Sequence, residues 1–100
     1  MHLTPKELDR LTIFTVAKMA RRRKSKGIKL NHPEAVGLIT DEVMEQARMG
    51  MSYEDALKYA SGLLTREDVM EGVPELIHEI LIEARFEDGT KLIVIEQPIK

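Results

Sequence analysis

One hundred residues are enough for one domain with one core and too few for two domains of typical size. Apolar residues make up 43% but aromatics only 4%, so aliphatic side chains must supply most of the burial; the absence of cysteine excludes a disulfide framework, a thiolate metal site and a thiol nucleophile. The net charge of −2 hides a division, because residues 1–30 carry nine Lys/Arg against Glu7 and Asp9 (+7) while the other seventy carry six bases and fifteen acids (−9).

Such a division means either that the two parts attract each other within the fold or that each faces a partner of opposite sign. The sequence has no 18-residue apolar window, and it opens on a capped amphipathic segment instead of a basic stretch followed by an apolar run. A soluble, cytoplasmic protein is expected.

A helix-start signal recurs along the chain: an apolar residue, a capping residue, and an acid three positions later. Leu3-Thr4 with Glu7 is the first, with Pro5 at the tolerated first helical position. Leu30-Asn31 with Glu34, Met51-Ser52 with Asp55 and Leu64-Thr65 with Asp68 follow, the last two closing the capping box less well because Asp is shorter than Glu. Gly27, Gly50, Gly62 and Gly72 stand where left-handed C-terminal residues would end these helices, and the cations from Arg21 to Lys26 fall where the first helix exposes its carbonyls. The pattern predicts helices over about 5–26, 32–49, 53–61 and 66–71.

After Pro74 the period changes to two. Ile80, Ile82, Ala84 and Phe86 share one face of a strand, and Asp88-Gly89 reads as a two-residue hairpin turn in which both positions take positive φ. That turn would place Phe86 opposite Lys91, Ala84 opposite Ile93 and Ile82 opposite Ile95, in a hairpin over about 79–96 ended by Pro98. The expected class is therefore α+β, one domain over 1–100, with a four-helix N-terminal part packed on a C-terminal two-stranded antiparallel hairpin. A lone ribbon is marginal in water, and the second face of this one carries Leu81, Leu92 and Val94, more apolar surface than a solvated face needs. Met44, Met49, Met51 and Met70 gather near helix ends, as adaptable core or interface filler does. Leu81, Leu92, Val94, Met49 and Met51 are thus the candidate subunit-interface residues.

Catalytic signatures are missing. Ser25 lies in the basic run, Ser52 reads as a cap and Ser61 ends a short helix, none in a nucleophile-elbow setting. His2, His32 and His78 are scattered singly, without the spacing of metal ligands. Glu42/Glu45 and Glu67/Glu71 have the spacing of a solvated helix face, and neither a phosphate-cradling loop nor a dinucleotide fingerprint occurs. No catalytic, cofactor-binding or metal-ligating residue is assigned. Arg21-Arg22-Arg23-Lys24-Ser25-Lys26 is the one dense charge run; without interleaved aromatics, and in a chain of pI about 5.9, it is a weak signal for nucleic acid and weaker for a membrane surface. A small helical module using this run on nucleic acid or an acidic protein is the competing reading.

Several long segments carry a resemblance. Arg22-Arg23-Lys24, Gly27-Ile28-Lys29-Leu30-Asn31-His32-Pro33-Glu34-Ala35-Val36, the stretch from Leu64 through Val69-Met70-Glu71-Gly72-Val73-Pro74, and Asp88-Gly89-Thr90-Lys91-Leu92 resemble the urease gamma subunit in order and spacing. The resemblance implies a small α+β chain joining a beta and an alpha subunit in a trimer of three-chain units. In that family urea is hydrolysed to ammonia and carbamate at two nickel ions bridged by a carbamylated lysine, all held by the alpha subunit, and the gamma chain supplies no ligand and no catalytic residue. This chain departs from the family's usual pattern at His32, Gln46, Met49, Met51 and Glu96.

Overall fold

The computed structural model describes residues 1–100, which run as α1 (Pro5–Ser25), α2 (His32–Arg48), α3 (Tyr53–Ser61), a 3-10 turn (Arg66–Asp68), α4 (Val73–Leu76), β1 (Glu79–Phe86) and β2 (Gly89–Glu96). This is the expected α+β arrangement, helices first and an antiparallel hairpin last. The first two helix starts form full capping boxes. The Thr4 hydroxyl accepts from the Glu7 N–H at 3.1 Å and the Glu7 carboxylate accepts from the Thr4 N–H at 2.8 Å; Asn31 and Glu34 repeat the exchange at 3.0 and 2.9 Å. The Thr4 amide, and then its hydroxyl, hold the Glu7 carboxyl below the usual carboxylate range. Ser52 accepts from the Asp55 N–H at 3.2 Å, and Asp55 sends no bond back, as its shorter side chain implies.

The fourth predicted helix, over 66–71, is not there. Asp68 does accept from the Thr65 N–H and hydroxyl, but the turn stops at Asp68 and Val69 is extended (φ −125, ψ 161). The cause is tertiary. The Leu30 N–H donates to the Asp68 carbonyl at 2.9 Å and the Met70 N–H donates to the Leu30 carbonyl at 2.8 Å, a parallel bridge that buries Leu30 and Val69 and that a helical Val69 would break. Gly72 then turns the chain at φ 87 into the one-turn α4, with Pro74 in its first turn. Gly62, expected to be left-handed, has φ −107.

The hairpin has the expected faces and a different register. Phe86 pairs with Gly89, Ala84 with Lys91, Ile82 with Ile93 and Ile80 with Ile95, so the two turn residues are Glu87 and Asp88. Neither has positive φ; the left-handed region is left to Gly89 alone, at φ 126. A turn with negative φ at both central positions suits Glu and Asp, whereas the predicted turn would have forced Asp88 into the strained region. The slip is two residues, and because strand side chains alternate with period two, the same aliphatics still face inward.

The core centres on α2. Ile39, Val43 and Ala47 of α2 form one buried cluster with Ile80, Ile82 and Ala84 of β1, Ile93 and Ile95 of β2, and Ala56 and Ala60 of α3. Tyr53 tilts against Phe86 at 5.8 Å between ring centres and ties the start of α3 to the hairpin. Along its other flank α2 meets α1, which buries only Ala17 and Ala20 fully. Small residues let the two helices approach closely: a Cβ added to Gly37 would stand 2.6 Å from Val16 Cγ1.

Charge holds this second seam. Arg10 Nη1 donates to Asp41 at 2.7 Å, Arg21 donates to the other Asp41 oxygen and to Glu42, and Arg23 donates to Glu34, while Asp41 and Glu34 are buried. Burial works against the Arg21 charge, but its hydrogen bonds to Asp41 and Glu42 outweigh it and raise the guanidinium pKa overall. Seven of the nine ion pairs join residues 1–30 to the rest of the chain, so five of the nine bases in that segment spend their charge within the fold.

Candidate functional site: the assembly surface

With the inward face of the hairpin spent on the core, the strand alternation leaves the other face outside. Leu81 is 58% exposed and Leu92 57%, and Val94, directly opposite Leu81, is half-buried. Met49 lies 74% exposed at the end of α2, whereas Met51 is half-buried against the core cluster. Gly50 between them abuts the Glu87 carboxylate, which places this corner beside the hairpin turn. Of the five candidate interface residues, Leu81 and Val94 are brought together, Leu92 lies two positions along the same strand face, and the two methionines belong to the turn end.

Two further apolar surfaces escaped the sequence reading. Leu8, Leu11, Phe14 and Met19 are all exposed on α1, although its buried residues are Ala17 and Ala20. The spacing of 8, 11 and 19, with Thr15 between, was the available signal: one turn-by-turn stripe on the side away from those alanines. The second is an open cleft of about 570 Å³ between α1, α2 and the start of β1, lined by Ile13, Val16, Val36 and Ile80 with Leu76 and Leu81 at its margin. Leu76 is 65% exposed.

The basic run is mostly committed. Arg21 and Arg23 pair with buried carboxylates and Lys24 lies 3.9 Å from Asp68, while Lys29 donates to the Glu67 carbonyl. Arg22 and Lys26 are exposed. Glu42 and Glu45 are likewise not a merely solvated face: Glu42 accepts from Arg21 and from the Tyr59 hydroxyl at 3.0 Å, and Glu45 from Arg10 at 2.9 Å. Burial, and then the Glu42 carboxylate, push the Tyr59 hydroxyl pKa up.

His2, His32 and His78 are all exposed, His32 at the wall of the cleft, and no three His, Asp or Glu side chains converge on a point where one ion could sit. No helix is long and apolar enough to cross a membrane. What the surface offers is apolar area arranged on a strand face, a helix stripe and a cleft, which is the chemistry of protein assembly.

The family model described as "Urease, gamma subunit" matches residues 1–99. A curated relative, the urease subunit gamma of Natronomonas pharaonis, is 57% identical over 100 residues, covering all of this chain and 92% of that protein. A match of this extent, across both helices and hairpin, settles the lineage: the chain belongs to the urease gamma subunit family.

Proposed function

We propose that this chain is a non-catalytic assembly subunit of a urease, joining a beta and an alpha chain in a cytoplasmic trimer of three-chain units that hydrolyses urea to ammonia and carbamate. The full-length family match carries the reading. The nickel ions of the assembled enzyme belong to the larger chain, and the residues here contribute shape and contact instead of ligands. The outward hairpin face, Leu81, Leu92 and Val94, is one of the surfaces that meets another subunit, with Met49 and Met51 at its turn end.

Burying that face would remove two leucines that are 58% and 57% exposed from water, each worth about 1–1.5 kcal/mol, roughly half the value for a fully exposed side chain. Leu92→Lys places a charge that would have to be desolvated on assembly, and its position at the surface leaves the isolated fold intact. Circular dichroism of the isolated variant should match wild type, while co-purification with the beta and alpha chains should fall. Undiminished co-purification would remove this face from the interface. The isolated wild-type chain should neither hydrolyse urea nor bind nickel; a stoichiometric submicromolar nickel site in calorimetry would overturn the non-catalytic reading. The competing reading, a module that binds nucleic acid through residues 21–26, is disfavoured because Arg21 and Arg23 are already spent on Asp41, Glu42 and Glu34.

A further inference from the structure

The sheet has only two strands, so β1 has a partner on one side only. Which backbone groups face the open side follows from one bond. The Gln97 N–H donates to the His78 carbonyl at 2.8 Å, and these residues stand opposite each other in the register. Hydrogen-bonded pairs alternate in an antiparallel ladder, so Ile80, Ile82, Ala84 and Phe86 turn their N–H and C=O groups to β2, and Glu79, Leu81, Glu83 and Arg85 turn theirs away. None of the backbone bonds outside the helices and the ladder starts or ends in residues 79–86, and no side chain bonds to that backbone. The edge is a row of unpaired donors and acceptors.

Such edges are normally short, bulged, covered or interrupted by proline. This one is eight residues long and contains no proline; the open cleft flanks its first three residues, and farther along only the Lys6 side chain from the start of α1 reaches it, at Glu83. The cleft begins where the edge begins, at Glu79, Ile80 and Leu81, and its far wall is Ile13 and Val16 of α1. A strand laid along the edge would therefore drop alternate side chains into aliphatic surroundings. Charge at the base of the hairpin points the same way. Glu79 and Glu96 are direct cross-strand neighbours, a like-charge pair that costs stability, and neither has a cation among the ion pairs of the chain.

We propose that the free edge of β1 is a strand-addition site for an extended segment of a partner urease chain, with aliphatic side chains at alternate positions facing the cleft and a Lys or Arg beside Glu79. The inference rests on the assembly reading above and goes beyond it by naming the kind of segment that docks and the bonds that hold it. Main-chain hydrogen bonds to Glu79, Leu81 and Glu83 supply the registration, and the cleft selects side-chain size.

The test uses the whole chain with co-expressed beta and alpha urease chains. Proline at position 81 removes an outward N–H and no ladder bond, so Leu81→Pro can keep the hairpin, and Leu81→Ala controls for the lost side chain. Leu81→Pro should weaken association at least tenfold beyond Leu81→Ala, and Glu79→Lys should weaken it as well. Hydrogen exchange on the wild-type chain reads the same edge without any variant: the amides of Leu81 and Glu83 should exchange fast in the free chain and become protected in the complex, while those of Ile80 and Ile82 are protected in both. Equal association of Leu81→Pro and Leu81→Ala, or amides of Leu81 and Glu83 that stay fast in the complex, would overturn the strand-addition site alone. A wild-type chain that binds neither the beta nor the alpha urease chain would overturn the assembly reading and this inference with it.

Discussion

Helix α2 is sealed on its two flanks by different physics. On the hairpin side it shares one buried apolar cluster with Ile82, Ile93 and Ile95, all essentially inaccessible to water. Against α1 it presents Gly37 and the carboxylates of Glu34, Asp41 and Glu42, and α1 answers with two buried alanines and three arginines. Burial of aliphatic area stabilises strongly but tolerates sliding; paired charges in a partly buried seam contribute less net free energy and penalise any other alignment. The hairpin seam thus supplies most of the stability, and the α1 seam fixes one alignment while leaving the apolar stripe of α1 outside.

The largest expected effect tests the first half of that contrast. Ile93→Ala, at a position with no exposure, should cost about 3 kcal/mol by denaturant unfolding. A cost under about 1 kcal/mol would mean that the hairpin is not the main source of stability. Asp41→Ala should cost about 2 kcal/mol, because two arginines that remain partly exposed can recover some hydration. Raising the salt concentration should narrow the gap between wild type and Asp41→Ala and leave the Ile93→Ala gap unchanged. If both gaps respond alike, the two seams are not physically distinct.

Gly37→Ala sharpens the comparison at the point of closest approach. The added methyl collides with Val16, at a cost of about 1–3 kcal/mol, offset by up to about 1 kcal/mol from replacing a helix-interior glycine. The net loss should be about 1 kcal/mol. Val16→Ala with Gly37→Ala should be more stable than the sum of the single changes by at least about 0.5 kcal/mol, and simple additivity would show that the helices do not touch there. Smallest is Thr4→Ala, about 1 kcal/mol or less at the outer end of α1, read as a shift in unfolding midpoint. The same cap carries a pH signature. The folded Glu7 carboxyl lies below its unfolded value, so its contribution is present above about pH 4.3 and is lost as pH falls through the folded value. The stability difference between wild type and Glu7→Ala should close over that range; a constant difference would assign the acid response to other carboxyls.

Local signals were legible wherever neighbours along the chain decide the outcome. Thr4, Asn31 and Ser52 cap the helices that their side chains advertise, and the inward aliphatics of the hairpin follow from alternation alone. The failures share a cause. Residues 66–71 have a helix-start signal as good as that at Ser52, but Leu30 claims their backbone from a distance, and no local pattern reports a remote donor. The hairpin turn was misplaced by one residue, and the register with it by two, because Asp88-Gly89 is the stronger two-residue signal, whereas the turn at Glu87-Asp88 spares Asp88 a positive φ and buries the same aliphatics. Whether residues 1–30 use their charge inward or outward needed the positions of Asp41 and Glu34 in space. The cleft and the bare strand edge were invisible for the same reason, since each is a gap between elements and not a property of any one of them.

The bridge between Leu30 and Val69 has a consequence in time as well as in space. It joins segments about forty residues apart and closes a loop that contains all of α2 and α3. Capped helices and a tight hairpin can form from contacts only a few residues long, on the scale of microseconds, whereas a loop of that size gains nothing until both ends arrive together. By loop length the bridge is expected to fasten after the helical turns of α2 and α3, as are the contacts of α2 with the hairpin, which span as many residues. Until it fastens, the run from Arg66 to Gly72 lacks the remote partner that keeps it extended and is left with its own helix-start signal, so the late step is the one in which a local preference is overruled.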